Sequence, residues 1–159
     1  MSKNDLQPLC TLLRQQRWAA LATIRNSEPY CSMVAYVAAE DLSSFTLHLS
    51  TLAPHTQRLL KNPRISLAIS ETDQQLKDPQ TLARATLNGL IQAIAQDDPR
   101  YPQLKQRYLE KLPEAEMLFS FADFKLYEFV ADKIRYVGGF ANAHSVTPQQ
   151  LMDVAQPNL

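Results

Sequence analysis

FTLHLSTLAPHTQRLLKNPRISLAISE, running from Phe45 to Glu71, reads as strand, turn, short helix and strand. Phe45, Leu47 and Leu49 alternate with Thr46, His48 and Ser50, the period-2 pattern of a half-buried strand. That pattern puts His48 mid-strand on the polar face, where a histidine is simply hydrogen-bonded. Pro54 stands where a helix can begin, because its missing N–H costs nothing in a first turn. Leu59 and Leu60 anchor that helix, and Asn62-Pro63 stops it. Ile65, Leu67 and Ile69 then resume the alternation. Ser50, Thr51, His55, Thr56 and Arg58 gather at the helix entrance. Free N–H groups at a helix N-terminus attract an anion, and hydroxyls with a cation strengthen the attraction, so the entrance reads as a phosphate seat. The same residues also fit a capped surface helix whose polar face happens to hold Arg and His.

Upstream, Leu6, Leu9, Cys10 and Leu13 fall at helical spacing, which predicts an amphipathic helix over residues 4–16, capped by Asn4 or Ser2. WAALATI, Trp18 to Ile24, is apolar throughout and predicts a strand buried on both faces. Turn chemistry at Arg25 to Pro29 leads to YCSMVAYVAA, Tyr30 to Ala39, a second strand. Tyr30, Ser32, Val34 and Tyr36 share one of its faces, and Cys31, Met33, Ala35 and Val37 the other. These two strands and the Phe45 strand, joined by short loops, predict an antiparallel meander.

Downstream, TDQQLKDPQT carries no periodicity and predicts an exposed loop. Residues 82–95 predict a long strand in which Gly89 marks a bulge or a barrel corner. Asp97-Asp98-Pro99 predicts a helix start, with an acid at the cap and proline in first position. Tyr101, Leu104, Tyr108 and Leu112 continue at helical spacing up to Pro113. PEAEMLFSF adds a short helical piece. Phe124 to Val137 predicts a strand with a turn or bulge at Asp132-Lys133. From Ala141 the tail is polar and is expected to be partly disordered or to reach a partner chain. Strands without regular helix alternation predict a mainly β fold with appended helices, an antiparallel barrel or sandwich.

Composition narrows the function. The 159 residues are one domain's worth, and a net charge of +0 argues against broad binding to nucleic acid or anionic membrane. No apolar run approaches the length of a membrane helix, and MSKNDLQPLC lacks the apolar core of a signal peptide, so cytoplasm is the expected location. Cys10 and Cys31 lack metal-type spacing and are expected to be reduced thiols, Cys31 a buried structural one. With 3 glycines there is no glycine-rich phosphate loop. No carboxylate pair, nucleophile triad or zinc spacing stands out. Asp97-Asp98 reads as a helix cap, and Tyr101 and Tyr108 as core aromatics.

The order WAALATI, EPYCSMVAYV, FTLHLSTLAPHTQRLLKNPRISLAI, LARATLNG and RYVGGFANA resembles the pyridoxamine 5'-phosphate oxidase-like FMN-binding split barrels, and within them the haem-utilisation branch. The resemblance spans Arg17 to Ala143. It implies a single six-stranded antiparallel split barrel over residues 1–159, forming a homodimer with FMN at the interface and a small-molecule substrate. It sets Ser32, Met33, Val34 and Ala35 beside the flavin ring, and Leu49, Ser50 and Thr51 beneath the ribityl chain. His55, with Thr56 and Arg58 next to it, takes the phosphate, and Arg84 is a further candidate for the phosphate or ring edge. The branch implies a haem-iron ligand near the C-terminus, for which His144 is the histidine in place; a solvated tail histidine is the plainer reading. Two departures count against pyridoxamine phosphate as substrate. Ser32 stands where the oxidases carry an arginine, and the one tryptophan, Trp18, is at the wrong end of the chain. The functions implied are an FMN-dependent oxidoreductase of unspecified substrate, a haem-binding or haem-degrading protein, or a non-enzymatic dimeric module.

Overall fold

The computed structural model describes residues 3–139 and 142–156, with side chains from residue 5 onward. Ser2 of the expected cap, the FA of the GGFANA ending and the last three residues lie outside that description, while Asn4 stands inside the first helix, not at its cap. Helix α1 (Lys3–Gln15) is the predicted amphipathic helix, and its stripe of Leu6, Leu9, Cys10 and Leu13 is buried. Strands β1 (Trp18–Arg25) and β2 (Glu28–Ala35) form a hairpin. Its turn residues Asn26 and Ser27 both have positive φ, 50° and 63°, the geometry whose twist matches that of paired strands. After Tyr36 come β3 (Val37–Ala38), β4 (Phe45–Ser50), α2 (Pro54–Lys61) and β5 (Arg64–Ser70). Then follow β6 (Arg84–Ile94), α3 (Tyr101–Lys111), β7 (Phe124–Val137), β8 (Ala143–Val146) and α4 (Pro148–Ala155).

All strand pairs are antiparallel, in the order β2-β1-β5-β6-β7-β4-β3. The two ends of this row, β2 and β3, are halves of one run parted by Tyr36 alone, so the sheet closes on itself. Tyr36 holds the corner: its N–H donates to the Arg17 carbonyl at 3.0 Å and its phenol to the Leu13 carbonyl at 3.0 Å. Counted this way the barrel has the six strand paths expected of a split barrel. One edge of β7 pairs with β6, while β4 takes the first half of the other edge and β8 the last. The predicted long strand over 82–95 is β6, and its register shifts at Asn88/Gly89, opposite the expected irregularity at Asp132-Lys133. The loop after Glu71 is exposed, as its composition predicts, and ends in a 3-10 turn over Pro79–Thr81.

Several expectations give way to packing. The predicted antiparallel meander forms, but its middle strand is divided at Tyr36: β2 pairs with β1 and β3 with β4. Strand β1 is not buried on both faces: Ala19, Leu21 and Thr23 point inward, while Trp18 and Ile24 are 55% and 42% exposed. Strand β4 is the doubly buried one. Thr46 and His48, expected on a polar surface, are covered by α3 and the 3-10 stretch Pro113–Ser120. That cover comes from chain more than fifty residues downstream, which local periodicity cannot register. Within α2, Thr56 and Leu59 are buried whereas Leu60 is 55% exposed. Cys31 is exposed, because it shares the outward face of β2 with Met33.

Helix α3 begins at Tyr101, later than predicted. The Asp98 carboxylate accepts from the Arg100 N–H at 2.8 Å and forms a turn ahead of the helix, so Asp97-Asp98-Pro99 caps nothing. Leu104, Tyr108 and Leu112 are buried as spaced, while Tyr101 is only half-buried. The tail is not loose over its described part. Strand β8 pairs with β7, and α4 buries Leu151 and Ala155. A capping box starts α4: the Gln150 N–H donates to Thr147 Oγ1 at 3.2 Å, and the Thr147 N–H to Gln150 Oε1 at 2.9 Å. Arg14 of α1 closes its far end by donating to the Ala155 carbonyl at 2.7 Å.

Candidate functional site

The residues named from sequence fall into two places separated by the thickness of the sheet. The first is the mouth of α2, packed against the inner side of the β1–β2 hairpin. Ser32 faces inward from β2, and its hydroxyl meets His55 Nδ1 at 3.0 Å. Burial pushes the His55 imidazole below its ordinary value, because desolvation disfavours the charged ring. Its Nε2 is buried without a partner, and so is Thr56 Oγ1. Arg58 lies over the Tyr30 ring at 5.1 Å and pairs with the Glu28 carboxylate at 3.9 Å. Ser50 Oγ donates to Asp123 Oδ2 at 2.5 Å, and the Thr51 N–H donates to the Asp123 carbonyl at 2.8 Å. The mouth therefore brings together the Asp123 carboxylate, the His55 imidazole and Arg58, whose contact with Glu28 is long. Two orphaned polar atoms remain there. Val34 and Leu49 point into the barrel core.

The second place is a groove on the outer face of the sheet, about 490 Å³, crossing β2, β1, β5, β6 and β7. Ala20 and Ala68 make its floor, and their small side chains follow from the register, which pairs Ala20 with both Met33 and Ala68. Trp18 and Met33 wall it. Arg84 and Arg135 line it, and Glu71 stands at one end. Arg84 Nη1 donates to the carbonyls of Gln80 and Leu82 at 3.0 and 3.1 Å, and Arg135 Nη1 to Ser145 Oγ at 3.3 Å. Those partners orient the guanidinium groups without neutralising them. An apolar strip ending in two such cations suits a flat apolar ligand with carboxylate arms. Met33 and Arg84 thus belong to this groove, with Ala35 half-buried on the same face of β2. They do not meet Ser32, His55 and Arg58.

Trp18, Arg135 and Asp123 are the residues that sequence reading missed. Arg135 does alternate outward on its strand, but its place beside Arg84 depends on β6 lying next to β7, which pairs Thr86 with Arg135. His144 pairs with Tyr136, so it shares the buried Tyr136 side of the sheet, away from the groove. Its ring meets Asn142 Oδ1. Among the described residues no three His, Cys, Asp or Glu side chains gather as a metal site. No helix among them is long and apolar enough to cross a membrane.

The sequence model described as CREG, beta-barrel, matches residues 10–153. The chain belongs to the CREG β-barrel family. Its relatives include the chloroplastic non-canonical haem oxygenase HOZ of Arabidopsis thaliana, 35% identical over 117 residues. That match covers 72% of this chain and 33% of HOZ, so the chain spans a third of that relative's length. The haem oxygenase HutZ of Vibrio cholerae is 24% identical over 154 residues, 95% of this chain and 86% of HutZ. Among solved structures, a haem-binding protein from Mycobacterium smegmatis superposes with a TM-score of 0.83 at 24% identity, over 94% of this chain and 60% of that one. Solved pyridoxamine 5'-phosphate oxidase-like proteins share the fold as well. The split-barrel group and haem-utilisation branch that the sequence resembles are thus the ones in which this CREG-family barrel has its neighbours.

Proposed function

We propose that this CREG-family barrel binds haem in the outer groove and supports its breakdown. The observation that carries the reading is the groove itself: an alanine floor between Trp18 and Met33, with the un-neutralised Arg84 and Arg135 at its edge. The floor matches an apolar macrocycle and the arginines match its carboxylates. Haem is the substrate here, and it carries the iron at which dioxygen reacts; electrons come from an external donor. The chain's own part is to bind, orient and shield the ring. The groove opens to solvent along the sheet, and a second copy of the chain supplies its other wall.

Haemin added to the purified protein is expected to show a Soret band shifted and sharpened relative to free haemin. Arg84→Ala with Arg135→Ala is expected to weaken binding about tenfold or more. With a reductant and oxygen the band should decay as iron is released. The reading is lost if the Soret band stays that of free haemin, or if the double variant binds haemin as tightly as the parent. His144→Ala, on the far side of the sheet from the groove, is expected to leave the haemin spectrum unchanged, and a shifted band would place the haem elsewhere.

The unpaired His55 Nε2 and Thr56 Oγ1 at the α2 mouth favour a second reading, an FMN phosphate held there in an FMN-dependent oxidoreductase. It predicts quenching of added FMN fluorescence, abolished by His55→Ala with Arg58→Ala.

A further inference from the structure

Beside the outer groove, beneath the exposed loop from Thr72 to Asp78, lies a second cavity of about 530 Å³. Gln16, Glu71 and Thr72 line both cavities, so the second opens off the end of the first. The proposed function uses only the groove and its arginines and gives the chamber no role. Lys77 lines the chamber, and its Nζ stands 3.6 Å from Glu71 Oε2. The pair is loose, with both side chains roughly half exposed. The same Glu71 oxygen accepts from the Ala83 N–H at 3.0 Å, so the carboxylate keeps a partner when Lys77 leaves it. Leu76, next to Lys77, is 83% exposed at the loop tip. The loop thus presents an apolar side chain and an ammonium together, while the groove presents apolar floor and guanidinium together.

We propose that the chamber is a second compartment of the binding site, in which Lys77 exchanges Glu71 for a second carboxylate arm of the ligand while Arg84 and Arg135 hold the first. The inference rests on the reading of the groove as a tetrapyrrole site. It makes Lys77 the residue that distinguishes a diacid from a monoacid. Glu71 is the built-in competitor, and it sets how much the second arm gains.

Haemin and its monomethyl ester, each titrated by Soret absorbance, test this directly. The parent protein should bind haemin about fivefold more tightly than the monoester, the scale of a partly exposed ion pair. In Lys77→Ala the two ligands should bind alike, and Lys77→Arg should restore the preference. Glu71→Gln, which keeps the acceptor for Ala83, should tighten haemin and leave the monoester unchanged. A diacid preference as large in Lys77→Ala as in the parent overturns the second compartment alone, because the Soret band still stands for the groove. A Soret band unshifted from that of free haemin with the parent overturns the tetrapyrrole reading and this inference together.

Discussion

His48 is an uncharged imidazole clamped between rings. Phe119 stacks on it at 3.8 Å, Tyr108 and Phe124 approach at 5.8 and 5.2 Å, and its Nδ1 has no partner. Burial lowers its pKa from 6.5 to about 4, with the nearby Lys105 adding to the shift. The folded state thus resists a proton that the unfolded chain accepts. Stability is full above pH 6.5 and falls as the pH drops toward 4, by about 2 kcal/mol between pH 7.5 and pH 5. Urea midpoints at the two pH values measure that slope. His48→Phe keeps the stacking and removes the orphaned nitrogen, so it should flatten the slope without loss of stability at pH 7.5. Gly89 is a second residue with no freedom. A Cβ there would sit 2.0 Å from the Val130 carbonyl oxygen across the bulge, so Gly89→Ala is expected to cost about 3 kcal/mol, read by chemical denaturation.

Among the elements, α4 is folded where the polar tail predicts disorder. A capping box of Thr147 and Gln150 starts it, and the barrel gives the helix a place to dock through Leu151 and Ala155. Thr147→Ala removes the acceptor for the Gln150 N–H and should destabilise the protein by about 1 kcal/mol. Amide exchange over residues 148–155 should rise with it, and the exchange of β6 should not. Strand β4 is likewise decided by packing. Its alternating pattern is that of a half-exposed strand, yet both faces are buried because α3 and the stretch after Pro113 fold over the outer one.

At the scale of the molecule, the outer face of the sheet exposes several large apolar side chains. Trp18, Ile24, Met33, Leu90 and Val130 are each between about two-fifths and three-fifths exposed. Leu90 pairs directly with Val130 across the β6–β7 ladder. A patch of this kind is ordinarily covered, and the groove runs along it. The chain is expected to sediment at twice its 18.0 kDa. Ile24→Asp with Leu90→Asp, both outside the groove, should yield a folded monomer with weakened haemin binding. A monomeric parent protein would remove the second wall from the proposed site.

Strand alternation, the stripe of α1, the proline-started α2 and the bulge at Gly89 were all legible one segment at a time, because each depends on side chains a few positions apart. So was the split-barrel group, from the order of those segments. Which polar residues share a site was not. Ser32 and Met33 are neighbours in the chain yet sit on opposite faces of one strand, the first bonded to His55 and the second walling the groove with Arg84. Arg135 joins Arg84 only because their strands lie side by side, and Asp123 reaches Ser50 across 73 residues. Periodicity reports which way a side chain points from its own backbone; the closing of the barrel sets what it meets there.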